Sequence, residues 1–374
     1  MVTKKYSKLV MLSLVAVLLI SACSMKKKAT GISDLIYVVA DSSEYYELEP
    51  ALVQIFGKVI YTPQPENLFN LKRVSVNNLE KYKDKKNLLF IAPLNSGSHT
   101  SQYLNSILGE SVKKMVADSN QFVIVKPDLW AREQMVMYLF SKDMETLKKN
   151  ILGDTDNLLY QFQHVSDKRL FNKLYYPQYE KKDIEAKLLK EYGWVIYVQP
   201  DFWLAKDAPE DNFAWLRRAP GSDMERWIFV HWIDNASPSF LDTDSIAAER
   251  NRITEKYYRT SDDSSCVEIA DQYLNVSEVN FEGRYAIMTQ GLWRMKDKSM
   301  GGPFVNYTFY DESTKRIYML DGSIYAPKYY KKKLIQQVDV MLHSFKTKEE
   351  LSEDRIEELM DELEEEENTD NDNH

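Results

Sequence analysis

GLWRMKDKSMGGPFVNYTFYDESTKRIYMLDGSIYAPK, residues 291–328, is the stretch whose reading decides the fold. Residues 306–310 and 316–320 are rich in Tyr, Phe, Thr and Ile, types that suit a pleated, half-buried surface. The polar run 311–315 between them has the length of a hairpin loop. Met300-Gly301-Gly302-Pro303 punctuates most sharply. Paired glycines admit positive φ or a close backbone approach, and a proline opens a strand rather than sitting in its middle. Gly322 reads as the end of the second strand, and Ala326-Pro327 as the opening of a helix. The glycine pair is either a structural turn or a loop that lets a ligand approach the backbone.

Working outward, residues 213–218 and 227–233 read as a second hairpin over 219–223. Alternation puts Phe213, Trp215 and Arg217 on one face of it, and Trp227, Phe229 and His231 on one face of the partner strand. Asp242-Thr243-Asp244 caps a helix running to about residue 259. A closing helix over 329–345 carries Leu334, Val338, Met341, Leu342 and Phe345 as its inner stripe. On the N-terminal side, residues 35–40 and 88–92 are buried strands. Helices follow them, one capped by residues 41–43 and one running from about 100 to 116. The turn 95–98 before that second helix either caps it or binds an anion at its N-terminus. A weak internal echo links Val125-Lys126-Pro127-Asp128-Leu129-Trp130 with Val198-Gln199-Pro200-Asp201-Phe202-Trp203, and suggests two related half-sheets.

The two ends of the chain differ in kind. Lys4, Lys5 and Lys8 precede an apolar run over 9–20, then Ser21-Ala22-Cys23. A basic n-region, a short apolar region and small residues before a cleavage point describe a secretory signal, too short to span a bilayer comfortably. Residues 20–23 resemble a bacterial lipobox, which implies cleavage before Cys23 and acylation of its sulfur. Several acyl chains, at about 0.8 kcal/mol per buried methylene, anchor a protein stably. No aspartate follows Cys23, so the expected place is the outer membrane, periplasmic face. Cys266 is then the only remaining thiol, which excludes an intrachain disulfide. Residues 349–374 hold fourteen carboxylates against the single base Arg355. The formal charge of −9 therefore belongs to the tail, and the body is nearly neutral. A nucleic-acid footprint, which needs a basic face, is not expected. Within the tail, Ile356, Leu359, Met360 and Leu363 fall at helical spacing, and a tail this charged reads as solvated.

Five scattered histidines, with no HExxH, CxxC or EF-hand spacing, indicate no metal site and no cofactor. There is no GxSxG elbow. What stands out is aromatic abundance beside arginines. Trp215, Arg217, Trp293, Gly301 and Gly302 are the candidate ligand-binding residues, for a glycan or the tail of a peptide; the competing reading is a tryptophan-rich core. Asp244-Ser245-Ile246 resembles a short O-glycosylation acceptor, with Ser245 as the modified residue.

Residues 63–66 with Leu68-Phe69, Trp130-Ala131 with Gln134, 213–218, 291–294, 300–305 and 322–327 together resemble a family of Bacteroidota lipoproteins known only as domain of unknown function 4837. The resemblance covers about residues 31–345. It implies location and a shared fold and brings no catalytic residues. The expected architecture is α+β: mixed, largely antiparallel sheets with helices packed on them, in two lobes. The expected divisions are a signal peptide (1–22), a lipidated tether (23–33), an N-terminal α/β lobe (34–174), a C-terminal α+β lobe (175–346) and an acidic tail (347–374). The expected role is a membrane-anchored, non-enzymatic binding or envelope-assembly module with a glycan or protein partner. The alternative is an envelope hydrolase or transferase with an unfamiliar constellation.

Overall fold

The computed structural model describes residues 26–60, 62–119 and 122–372. The signal segment and Cys23 lie outside them. The described chain is α+β and forms two compact units, residues 26–57 with 69–165 and residues 58–68 with 166–372. No helix among the described residues is long and apolar enough to cross a membrane.

The first unit is built on a five-stranded mixed sheet. Strands β1 (Leu35–Val39), β2 (Asn70–Val74), β3 (Asn87–Pro93), β4 (Val123–Pro127) and β5 (Met135–Ser141) lie in the order β2-β1-β3-β5-β4. Only the β4–β5 pairing is antiparallel. Every residue of β3 and β5 is buried, as expected of central strands covered on both faces. Helix α1 (Ser42–Phe56) buries Leu48, Leu52, Ile55 and Phe56 along one face. The helix expected over 100–116 is instead two, α2 (His99–Ile107) and α3 (Glu110–Ser119), because Leu108-Gly109 interrupts it. Ser98 caps α2 by accepting the Ser101 N–H at 3.1 Å. The anion alternative there is filled from within: the Asp41 carboxylate accepts the His99 and Thr100 N–H groups at 3.1 and 3.0 Å. Burial works against its charge, yet these bonds and the Thr100 hydroxyl hold Asp41 below the usual carboxylate range. Helices α4 (Met144–Gly153) and α5 (Thr155–Leu174) follow β5, and the division between the units falls within α5.

The second unit is built on eight antiparallel strands. After α6 (Lys182–Tyr192) come β6 (Phe202–Ala208), β7 (Phe213–Arg218) and β8 (Glu225–Ile233). Helix α7 (Thr243–Tyr257) is followed by β9 (Val267–Ile269), β10 (Asn275–Phe281), β11 (Arg284–Met295), β12 (Gly301–Asp311) and β13 (Arg316–Tyr325). The sheet order is β9-β11-β12-β13-β8-β7-β6, with β10 also paired to β11. One face packs on α6 and on α8 (Lys332–Leu342), whose expected inner stripe is buried there. The other face packs on α7 through Ile246 and Ile253.

The stretch quoted at the outset is the centre of this sheet, with three corrections. The Met300-Gly301-Gly302-Pro303 run is not the turn; the chain reverses over 296–299, with Lys298 at φ 62°, and Gly301-Gly302-Pro303 begin β12. Gly302 is required by a close approach, because a Cβ there would run into the Ile324 carbonyl oxygen of β13. The backbone that comes near is the chain's own, not a ligand's. Gly322 does not end its strand but sits inside β13, where a Cβ would meet Val338 Cγ2 of α8 at 2.8 Å. Finally, α8 begins at Lys332, and Ala326-Pro327 lie in the turn before it. Its cap comes from far away in sequence, since Glu66 Oε1 accepts the Lys331 and Lys332 N–H groups, each at 2.9 Å.

Two further expectations are overturned. The internal echo is not a shared half-sheet. Val125 lies in β4 beside β5, whereas among the described residues Trp194–Val195 pairs only with Lys346–Thr347, and the strand after Pro200-Asp201 is β6, unrecognised in the sequence. Nor is the amphipathic tail solvated. Helix α9 (Glu353–Asp372) docks Ile356, Leu359, Met360 and Leu363 against Ala186, Leu189 and Val195, with Leu359 fully buried. The acidic composition is offset at the contact by Arg355, which reaches Glu180 at 2.6 Å and Glu185 at 2.8 Å.

Candidate functional site

Period-two alternation sets out the site. The register pairs Phe213 with His231, Trp215 with Phe229 and Arg217 with Trp227, so the side chains expected to share a face do so, under α7. Arg217 Nη2 donates to Glu225 Oε2 at 2.6 Å, and the Trp227 indole N–H donates to the same oxygen at 2.8 Å. The other oxygen of Glu225 accepts the Gly221 N–H at 2.6 Å, fastening the hairpin turn. The clamped guanidinium lies 4.9 Å from the Trp215 ring centroid, within cation–π range.

Beneath this pair is a layer of rings. Tyr258 sits 4.5 Å from Trp215 and 5.1 Å from Trp227, and Trp227 lies 5.0 Å from Trp293. Trp293 is buried, its indole N–H donating to the Ile324 carbonyl at 3.2 Å. On the neighbouring strand Gly302 is registered with Trp293, and Gly301 with Arg294. All five candidate residues therefore converge on one end of the sheet in unequal roles. Trp215 and Arg217 are half-buried and Gly301 is exposed, while Trp293 and Gly302 belong to the supporting layer. Ser245 stands in the first turn of α7, its N–H bonded to the capping Asp242 carboxylate at 2.9 Å.

Sequence reasoning missed several polar groups of this unit. Glu225 could have been found, since it stands two residues before Trp227 on the same face as Arg217. Between α7 and the sheet, Arg250 and Asp321 form a fully buried ion pair, Nε to Oδ2 at 2.7 Å. Beside it His231 Nε2 contacts Glu249 Oε1 at 2.8 Å. Burial opposes that charge, but hydrogen bonds from His231 and Arg252 hold Glu249 down to about 2. On the opposite face Asp167 is pushed up to about 7 by burial and then by Asp339. Asp339 is itself raised by burial and accepts the Tyr307 hydroxyl at 2.7 Å. His343, against the pull of burial, is raised by its 2.7 Å contact with Glu282 and by Asp339. At the other end of β8 and β13, a shallow depression of about 470 Å³ is lined by Tyr192, Asp234, Arg316 and Lys348 among others. Among the described residues no three His, Cys, Asp or Glu side chains are grouped to hold a metal ion.

This is a two-unit α+β protein with an aromatic–arginine corner on its larger sheet. Residues 180–344 match a family described as a domain of unknown function, DUF4837. Residues 29–174 match a second one, DUF8532. The resemblance expected over residues 31–345 is thus matched only in its C-terminal part, and the N-terminal part matches a different family model. No curated protein matches. Among solved structures, the Saccharomyces cerevisiae Ran-binding protein Mog1p is 13% identical, with 42% of this chain and 90% of that chain covered and a TM-score of 0.27. A point mutant of Mog1 gives the same identity and score over 41% and 90%. The human StarD13 lipid transfer and protein localization domain is 9% identical over 44% of this chain and 95% of that chain, with a TM-score of 0.16. Scores this low are not fold matches.

Proposed function

We propose that this protein is a non-enzymatic binding or envelope-assembly module, held by a lipid on Cys23 to the periplasmic face of an outer membrane. The observation that carries the binding reading is the partly accessible Arg217, stacked on Trp215 and clamped by the buried Glu225 over a rigid aromatic layer. An oriented guanidinium on an indole, backed by core, gives flat apolar area and directional donors with little entropy left to lose on binding. A glycan ring or a protein segment satisfies both. The test is capture from crosslinked envelopes with the wild-type chain and with a Trp215→Ala/Arg217→Ala variant. A partner recovered by the first and lost by the second is expected. Recovery of neither glycan nor protein, or equal recovery by both, counts against the reading. In the same cells Cys23→Ala should move the protein from the membrane to the soluble fraction.

A second reading, an envelope hydrolase or transferase, is favoured by one observation. Asp167, raised to about 7 beside Asp339, has the proton affinity of a general acid or base at neutral pH.

A further inference from the structure

The strands that build the aromatic corner present something different on their other face. Alternation places Arg218 and Arg226 there, and the register sets them directly opposite one another across β7 and β8. Arg226 is 6% exposed, and its side chain has no hydrogen bond or ion pair among the described residues. Its Nε is enclosed with no acceptor. The remaining neighbour of Arg226 in the sheet is Ile324 of β13, which offers no charge.

Arg218 is paired to Asp201, in the turn that leads into β6. That turn is closed by the Phe202 N–H donating to the Gln199 carbonyl at 3.0 Å, and Phe202 is registered with Arg218. Gln199, 5% exposed, has an enclosed side-chain Nε2 that also lacks an acceptor. Neighbouring positions at this end of the sheet therefore carry a buried guanidinium that feels the Asp201 carboxylate without bonding it, a second guanidinium opposite it and an amide donor with nothing to donate to. That carboxylate is already committed to Arg218.

Each of these facts is unfavourable by itself. Removing a charge from water without a partner costs several kcal/mol. Like charges directly opposite on antiparallel strands repel. Burial, together with Arg218 and only partly offset by Asp201, draws Arg226 down to about 10, which leaves it charged at neutral pH. All three are relieved at once by a single bound oxyanion. We propose that this corner is an anion site that takes a phosphate group between Arg226 and Arg218, with the Gln199 amide as an additional donor. A tetrahedral oxyanion has enough acceptor oxygens to face two guanidinium forks and an amide together. The site lies on the sheet face away from Trp215 and Arg217 and does not depend on the binding role proposed for them.

The experiment is thermal unfolding of the full chain, and of Arg226→Met and Arg226→Lys, at constant ionic strength set with chloride. Inorganic phosphate and a soluble short-chain phosphatidylglycerol are titrated as separate probes. The wild type is expected to gain melting temperature saturably with at least one probe, and which one tells a free phosphate from a lipid headgroup. Arg226→Met should melt higher than wild type without phosphate and bind the effective probe roughly tenfold or more weakly, the loss of a charged hydrogen bond. Arg226→Lys should keep part of the response. Equal shifts in wild type and Arg226→Met, or no shift of the wild type with either probe, would overturn the proposal.

Discussion

The buried ion pair under α7 makes the sharpest prediction. Arg250 donates from Nε and Nη2 to Asp321 at 2.7 and 3.3 Å, and Nη2 also reaches Ser323 Oγ at 3.2 Å. The Ser323 hydroxyl and the Asn306 amide donate to the same carboxylate, at 2.8 and 3.3 Å. The guanidinium lies 3.8 Å from the Phe304 ring centroid. Arg250→Met leaves a buried carboxylate with two neutral donors, and Asp321→Leu leaves a buried guanidinium whose Nη1 already lacks an acceptor. Each should cost about 3–5 kcal/mol, because an uncompensated charge stays behind. The double variant removes both charges and strands only Ser323 and Asn306, at about 1–3 kcal/mol. Its destabilisation should fall at least ~3 kcal/mol short of the sum of the singles. Urea unfolding followed by tryptophan fluorescence is the assay, since six of the seven tryptophans lie in this unit. Strict additivity of the two singles would show that the groups do not act as a pair, and the reasoning would fail.

Two other perturbations test the remaining titratable and docked groups. Asp167, held up to about 7, keeps its proton in the folded state where the unfolded carboxyl, near 3.8, has lost it. Between those values the folded state binds more protons. Stability is therefore fullest below about 4 and falls as pH rises toward 7, by ~1.4 kcal/mol for each pH step of one between the two values. Asp167→Asn should flatten that fall in chemical unfolding measured from pH 4 to 8, and a profile as steep as wild type would remove Asp167 from the account. In the tail, Leu359→Asp should strip hydrogen-exchange protection from α9 while leaving the body's unfolding unchanged. The substitution forfeits the ~1.5–3 kcal/mol of a buried leucine and adds a charge. Protection that survives it would mean the helix is held by something other than the apolar contact.

The elements that sequence reveals are those governed by local period. The alternating faces of β7 and β8, the stripe of α8 and the buried run of β3 all follow from spacing that each segment carries within itself. Glycine is ambiguous because it answers two needs, and the choice lies in a partner many residues away. Gly302 answers to Ile324, and Gly322 to Val338. The same distance hides Glu66, which caps a helix starting at Lys332 and reads locally as part of a proline-rich loop. Arginines 217 and 218 are neighbours in sequence yet serve opposite faces. Nothing in the sequence beside Arg218 marks its different environment, and Arg226 escapes attention because nothing around it in the chain marks its side chain as unpaired.

The tail carries the argument furthest. Fourteen carboxylates against one base read as repulsion and solvation, and for an isolated segment that reading is sound. Its receptor, however, supplies two acids of its own whose side chains are only 2% exposed, Glu180 and Glu185. Burial, and then the nearby Glu180, push Glu185 well above the usual carboxylate range, against the pull of Arg355. Arg355 meets both acids and is braced from its own helix by Glu358 at 2.6 Å, which in turn contacts Lys182 at 2.7 Å. The sign of the tail's total charge is therefore the wrong quantity. One correctly placed base, followed one turn later by Leu359, is enough to seat an acidic helix on an acidic receptor. That pattern becomes visible only when the receptor's own carboxylates are known.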